Sequence, residues 1–222
     1  MSVETKICGI RTPEALEAAV AGGARYVGLV FYPPSPRAVG PVDGAALARL
    51  VPTGVRVVGL FVEPTGEVLE SVIGQVPMDM VQLHGGESPG RVAEIRRELS
   101  LPVMKAIRVA AAADLAGVQD YAAVADRLLF DAKQPANVTA LPGGNGMPFD
   151  WHILAGRRWD VPWMLSGGLT ADNLEEAVRQ TGAKAVDVSS GVEDRPGHKD
   201  PALIRAFLAR AAALGESAPI PN

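Results

Sequence analysis

Short apolar runs rich in β-branched residues recur eight times along this chain, with helical segments between them. Runs apolar on both faces, joined by segments long enough to cross over, are the pattern of parallel strands with crossover helices. The expected strands are Val3 to Cys8, Arg25 to Phe31, Val55 to Val62, Asp79 to His84, Pro102 to Ile107, Arg127 to Asp131, Val161 to Ser166 and Lys184 to Ser189. Each is followed by a segment that reads as a helix. Eight such units in 222 residues predict one α/β domain, a single (β/α)8 TIM barrel.

The first unit carries its own punctuation. Thr12 is placed to cap a helix and Pro13 to occupy its first turn, with Leu16, Ala19, Val20 and Gly23 on the face toward the barrel. Gly23 to Val30 parallels Gly182 to Ser189, both reading as a helix end that turns into a buried strand. The barrel is expected to span residues 1–215, and the tail from 216 to 222 to be frayed. Gln134 to Pro148 is long, glycine- and proline-rich and without helical or strand pattern, so it reads as a mobile lid or a solvated insertion after strand 6.

Composition narrows the function. A net charge of -4 gives no electrostatic case for nucleic acid, and 48% hydrophobic with 21% charged residues is ordinary for a globular protein. The expected partner is a small molecule, with no nucleic acid and no membrane, and the chain a monomer or homodimer. The N-terminus lacks a basic stretch followed by a long apolar run, and no window reaches 18 uninterrupted apolar residues, so the expected location is cytoplasmic. The single cysteine, Cys8, excludes an internal disulfide and argues against structural zinc. His84, His152 and His198 form no close pair for ligation, so no metal is expected.

Two strands near the C-terminus each run into a turn of small residues, Ser166-Gly167-Gly168 and Ser189-Ser190-Gly191. Glycine lets backbone N-H groups approach an anion, and barrels commonly hold phosphate in the loops after strands 7 and 8. Gly167, Gly168, Ser189, Ser190 and Gly191 are therefore expected to form a phosphate site.

Catalytic groups in this fold come from the C-terminal ends of strands. Those ends give Cys8, His84, Asp131, Ser166 and Asp187. Cys8 and Asp131 lie on strands 1 and 6, with strands 7 and 8 between them, so they could bracket a ligand and move protons on either side of it. Cys8 also reads as a core residue, Asp131 as a loop cap paired with Lys133, and Arg37, in a proline-stiffened loop, as a surface arginine. In a functional role Arg37 would offer a carboxylate a bidentate fork. His84 reads as a neutral hydrogen-bonding wall.

Seven segments together resemble a known family. They are Lys6-Ile7-Cys8-Gly9-Ile10; Gly28 to Pro33 with Arg37; Val81-Gln82-Leu83-His84-Gly85; Phe130-Asp131-Ala132-Lys133; Gly143-Gly144-Asn145-Gly146 with Phe149-Asp150-Trp151; Leu165 to Leu169; and Asp187 to Glu193. In this order, over nearly the whole chain, they are similar to phosphoribosylanthranilate isomerases. The resemblance implies the third committed step of tryptophan synthesis, an Amadori rearrangement of N-(5-phosphoribosyl)anthranilate, without a cofactor. By that match Asp131 is the general acid that opens the ring and Cys8 the general base at C2. Arg37 holds the anthranilate carboxylate, Gly168 and Ser190-Gly191 supply donors to the phosphate, and His84 and Asp187 line the substrate site.

A free thiol is only a few per cent thiolate at neutral pH, so a nearby cation or helix terminus is expected to depress the pKa of Cys8. Lys6 serves only if regular alternation brings it to the same side. Three other readings compete: a lyase or aldolase using Lys6, Lys105 or Lys133 as a Schiff-base amine, a dual isomerase that also serves histidine synthesis, and a phosphosugar-binding protein without turnover. The sugar isomerases related to the second use aspartate where Cys8 stands.

Overall fold

A computed structural model describes residues 3–133 and 149–216. Eight parallel strands close into a barrel in sequence order: β1 (Glu4–Cys8), β2 (Tyr26–Val30), β3 (Arg56–Phe61), β4 (Met80–Leu83), β5 (Val103–Val109), β6 (Arg127–Ala132), β7 (Trp163–Leu165) and β8 (Ala185–Val188). The ring closes where Lys6 of β1 lies beside Asp187 of β8. Expected strand ends shift by a residue or two. β5 runs on to Val109 because Arg108 and Val109 pair with Asp131 and Ala132 of β6.

The helices α1 (Pro13–Ala21), α2 (Pro41–Arg49), α3 (Gly66–Ile73) and α4 (Pro89–Leu99) follow the first four strands. Thr12, Thr65 and Ser88 cap α1, α3 and α4 by accepting from the backbone N-H groups of Ala15, Val68 and Arg91. The buried face of α1 is Ala15, Leu16, Ala18 and Ala19, so the expected stripe is rotated: Val20 is only half-buried, and Gly23 is exposed in the following turn.

One expected helix is much reduced, and a second is represented among the described residues only by a 3-10 turn. After β5 come a 3-10 turn (Ala112–Leu115) and the five-residue α5 (Val118–Ala122), and after β6 the described residues offer only a 3-10 turn, Trp151–Leu154. Phe130 is instead covered by Trp159 and Trp163, at ring-centroid distances of 4.4 and 5.6 Å. Burial of one such ring stabilises by about 1.5–3 kcal/mol and anchors the strand that carries Asp131. The expected lid, residues 134–148, lies outside the described residues.

α6 (Leu174–Thr181) and α7 (Pro201–Glu216) complete the ring. Both copies of the short repeat turn from helix to strand through a positive-φ glycine, Gly23 at 86° and Gly182 at 69°. α7 closes on α1 at Gly22, where a Cβ would stand 2.5 Å from Leu208 Cδ1. The helix continues through Glu216, and the expected tail beyond it, 217–222, lies outside the described residues.

The core has an outer and an inner part. Between strands and helices lies one large apolar cluster that includes Ile7, Phe61, Ile95, Phe130 and Phe207. Inside the barrel, Tyr26, Val58, Met80, Met104, Ala106, Leu129, Met164 and Ala185 form a filled layer. That layer is a floor, and two positions further along β4, β6, β7 and β8 the polar residues Gln82, Asp131, Ser166 and Asp187 stand toward the C-terminal mouth.

Candidate active site

β1 is regular, so Lys6 and Cys8 point to the same side, two residues apart. Cys8 lies opposite Gly28 of β2. A Cβ on Gly28 would stand 2.9 Å from Cys8 Sγ and 3.2 Å from Lys6 Nζ, so the bare glycine provides the space that thiol and ammonium occupy. Lys6 is fully buried and donates to Asp187 Oδ1 at 2.9 Å. Ser166 donates to Asp187 Oδ2 at 3.4 Å, so both carboxylate oxygens already have protein partners.

The electrostatics of Cys8 differ from expectation. Burial pushes its thiol above the ordinary value, although Lys6 and Lys199 pull the other way, because Asp187 offsets part of the Lys6 charge. Burial also opposes the charge on Lys6, but Asp187 and Cys8 together hold it above the usual lysine value. The neutral thiol is therefore the prevailing form, with a permanent ammonium beside it.

On the opposite wall, Asp131 is buried at the end of β6. Asp131 Oδ2 is 3.1 Å from His84 Nε2, and His84 Nδ1 is 2.8 Å from Gln82 Nε2. Both nitrogens of the expected substrate-lining histidine thus face protein groups. Lys133 does not pair with Asp131; it binds Asp114, whose carboxyl is lowered to about 2 by the Lys133 hydrogen bond and by the backbone of Ala110 and Ala111.

Arg37 is buried rather than a surface residue. Its Nε and Nη2 donate to Glu193 Oε1 and Oε2 at 2.8 and 2.7 Å, a bidentate fork made with a protein carboxylate. Glu193 opens a small hairpin after β8, formed by β9 (Glu193–Arg195) and β10 (His198–Lys199). Lys199, on the returning strand, donates to Glu193 Oε1 at 2.6 Å and to the carbonyl and hydroxyl of Ser189 at 3.0 and 3.2 Å. Burial works against the Glu193 carboxylate, but Arg37 and Lys199 hold its pKa below the usual value. The hairpin meets the Arg37 loop closely, since a Cβ on Gly197 would fall 2.3 Å from the Pro36 carbonyl oxygen.

The expected phosphate turns take the backbone shapes that glycine permits. Gly167 and Gly168 have φ of 90° and 66°, and a Cβ on Gly191 would collide with the Leu169 carbonyl at 1.8 Å. The turns after β7 and β8 therefore touch through bare backbone. α6 begins only at Leu174, so no helix starts directly on the Gly167-Gly168 turn. Ser189 donates its hydroxyl to the Cys8 carbonyl at 3.1 Å, joining the second turn to β1.

Cys8, Arg37, His84, Asp131, Asp187 and Ser189 line one cavity at the barrel mouth, with Ser166, Ser35, Tyr32, Val30 and Leu60. Gly167, Gly168, Ser190 and Gly191 immediately follow two of its lining residues in the chain. Sequence reasoning omitted Glu193 and Lys199 as site residues, although Glu193 closes one of the motifs it used. It also left Lys105 free to face the interior. Lys105 in fact points outward, held by Glu87 Oε2 at 2.8 Å, the Gly85 carbonyl at 2.8 Å and the Tyr121 ring. With Lys6 on Asp187 and Lys133 on Asp114, each amine considered for a Schiff base is ion-paired. Among the described residues no group of three His, Cys, Asp or Glu is arranged to hold a metal ion, and no helix is long and apolar enough to cross a membrane.

Residues 5–210 match the family model for N-(5'-phosphoribosyl)anthranilate isomerase. The isomerase of that name from Rhodospirillum centenum is 67% identical over 214 residues, covering 96% of this chain and 100% of its own. The crystal structure of phosphoribosyl anthranilate isomerase from Thermotoga maritima superposes with a TM-score of 0.85 at 35% identity, covering 95% of this chain and 99% of its own. Another phosphoribosyl anthranilate isomerase structure, in complex with reduced 1-(o-carboxyphenylamino)-1-deoxyribulose 5-phosphate, gives 0.81 at 33% identity with the same coverage.

Proposed function

The chain belongs to the N-(5'-phosphoribosyl)anthranilate isomerase family, and we propose that it carries out that reaction with Cys8 as general base and Asp131 as general acid. It is an isomerase of tryptophan biosynthesis, converting N-(5'-phosphoribosyl)anthranilate to 1-(2-carboxyphenylamino)-1-deoxyribulose 5-phosphate. The observation that carries the residue assignment is the placement of one thiol and one carboxyl on β1 and β6, both lining the same cavity mouth.

Asp131 gives its proton to the furanose ring oxygen. The C1–O bond breaks, and the anilino nitrogen lone pair forms the C1=N bond of an open-chain Schiff base. Cys8, as thiolate, then takes the C2 proton, and the electron pair forms C1=C2 while the C1=N pair returns to nitrogen. The enolamine regains a proton at C1 from the Cys8 thiol, and the C2 hydroxyl proton returns to Asp131 as C2=O forms. Protons balance and both groups are restored. Lys6 and Lys199 are the cations that favour the thiolate against the cost of burial.

Arg37, fixed by Glu193, supports recognition of the anthranilate carboxylate from the rim of the cavity. The turns at Gly167-Gly168 and Ser189-Ser190-Gly191 support binding of the phosphate through backbone donors. His84 and Asp187, engaged with Asp131 and Lys6, act on substrate through those partners.

The test is turnover of N-(5'-phosphoribosyl)anthranilate by wild type, Cys8→Ser and Asp131→Asn proteins, followed by anthranilate fluorescence. General acid or base groups contribute about 10²–10⁴-fold. Losses of that size in both variants are expected, and near-full activity in either removes that residue from its role.

A further inference from the structure

Gln82 is buried at the end of β4, on the same side as His84, and belongs to no step of the reaction. Its amide nitrogen stands 2.8 Å from His84 Nδ1, while its amide oxygen is buried without a hydrogen-bond partner among the described residues. A methionine or leucine would fill this part of the barrel without an unsatisfied oxygen. The amide therefore occupies a position where it lowers stability, which is the mark of a group kept for what it does to its neighbour.

An amide nitrogen only donates, so the imidazole nitrogen facing it must accept. His84 Nδ1 then carries no proton, and the ring proton sits on Nε2, which faces Asp131 Oδ2 at 3.1 Å. Asp131 Oδ2 is in turn fixed as an acceptor. No protein group among the described residues bonds to Asp131 Oδ1, and Asp131 lines the cavity.

We propose that Gln82 is a positioning residue for the acid: it locks His84 in the Nε2–H tautomer, so that the proton delivered by Asp131 is confined to Oδ1, the oxygen left for the substrate. The chain Gln82–His84–Asp131 sets which carboxyl oxygen acts, and none of the three needs to exchange a proton with another during turnover. This inference rests on Asp131 as the acid.

The experiment is 15N NMR of imidazole-labelled full-length protein, with the His152 and His198 signals identified from a His84→Asn sample. The expected wild-type His84 pattern is a pyridine-like Nδ1 and a pyrrole-like Nε2. Gln82→Met removes the donor at nearly constant volume, and the Nε2–H signature is expected to give way to a mixture of tautomers. Its kcat is expected to fall roughly 10- to 100-fold, the range for outer partners that orient a functional histidine, with little change in KM. Gln82→Glu presents an acceptor to Nδ1 and is expected to move the proton there, with a larger loss of kcat.

A wild-type spectrum with the proton on Nδ1 would overturn the proposal whether or not any variant folds. So would a folded Gln82→Met protein with wild-type kcat. An Nε2–H spectrum together with an active Asp131→Asn protein would instead remove the acid assignment and leave the tautomer lock standing, so the two failures are distinguishable.

Discussion

Lys6 Nζ and Asp187 Oδ1 meet at 2.9 Å across the seam where β1 and β8 close the barrel, on the side of β1 that carries Cys8. The pair places a permanent cation by the thiol, but Asp187 shares that cation, and burial keeps the thiol pKa raised. A base that must be thiolate, with a raised pKa, is mostly protonated at neutral pH. The thiolate share, and the part of kcat/KM that depends on it, is therefore expected to climb with pH through the neutral range without a plateau there. Lys6→Met removes a charge that lowers the thiol pKa, so this limb is expected to move to higher pH. A pH–rate profile of both proteins checks it, and an unmoved limb argues against Lys6 as the tuning cation.

Gly28→Ala tests the space around the base. The added Cβ would stand 2.9 Å from Cys8 Sγ and 3.2 Å from Lys6 Nζ. The barrel is expected to fold with a loss of about 1–3 kcal/mol, typical of overpacking, while kcat falls at least about 10-fold because the thiol must turn aside. Thermal melts and steady-state kinetics on one preparation separate the two effects.

Glu193→Gln and Arg37→Lys break the same fork from opposite ends. Each is expected to raise KM about 10-fold with a smaller effect on kcat, since the fork orients a binding group. The double variant is expected to be little worse than either single one, as for residues acting as one unit. Additive effects in the double-mutant cycle would show that Arg37 does not depend on Glu193.

Glu87 and Lys105 form a buried pair on the outer side of the barrel, under the loop that follows His84. Burial alone would raise the Glu87 pKa, but Lys105 and the backbone N-H groups of Glu63 and of Glu87 itself hold it below the usual value. A depressed carboxyl stabilises the fold above its unfolded pKa, and that stability is lost as pH falls through the folded value. Glu87→Gln leaves Lys105 buried without its counter-ion and is expected to cost about 3–5 kcal/mol at neutral pH. Urea melts from neutral to acid pH should show the difference from wild type shrinking as Glu87 protonates.

The barrel was legible because each strand is buried on both sides, which leaves a run such as Tyr26–Val30 without any exposed position. The helix cap at Thr12 was legible because its chemistry is local: the side chain accepts from the backbone N-H of Ala15, three residues on. What was not legible depends on distant pairing. Glu193 reaches Arg37 across 156 positions and Lys6 reaches Asp187 across 181, distances over which no spacing rule operates. The outward turn of Lys105 depends on Glu87, and the raised thiol of Cys8 on its burial, and neither is visible in a local motif. The packing of Phe130 against Trp159 and Trp163 likewise joins residues some thirty positions apart, beyond the reach of any local motif.

The most direct test of the acid and base assignment uses substrate deuterated at C2 of the ribose, with borohydride quenching of single turnovers. Reduction of the ring-opened Schiff base gives an amine that keeps the deuterium at C2, whereas reduction of the ketone product gives one with hydrogen at C2, any label that Cys8 returns to the substrate lying at C1. Cys8→Ser is expected to accumulate the amine deuterated at C2 above a protein-free control, because Asp131 still opens the ring and nothing removes the C2 hydrogen. Asp131→Asn is expected to show no such excess. Equal trapping in the two variants, or the reverse order, would contradict Asp131 as the acid and Cys8 as the base.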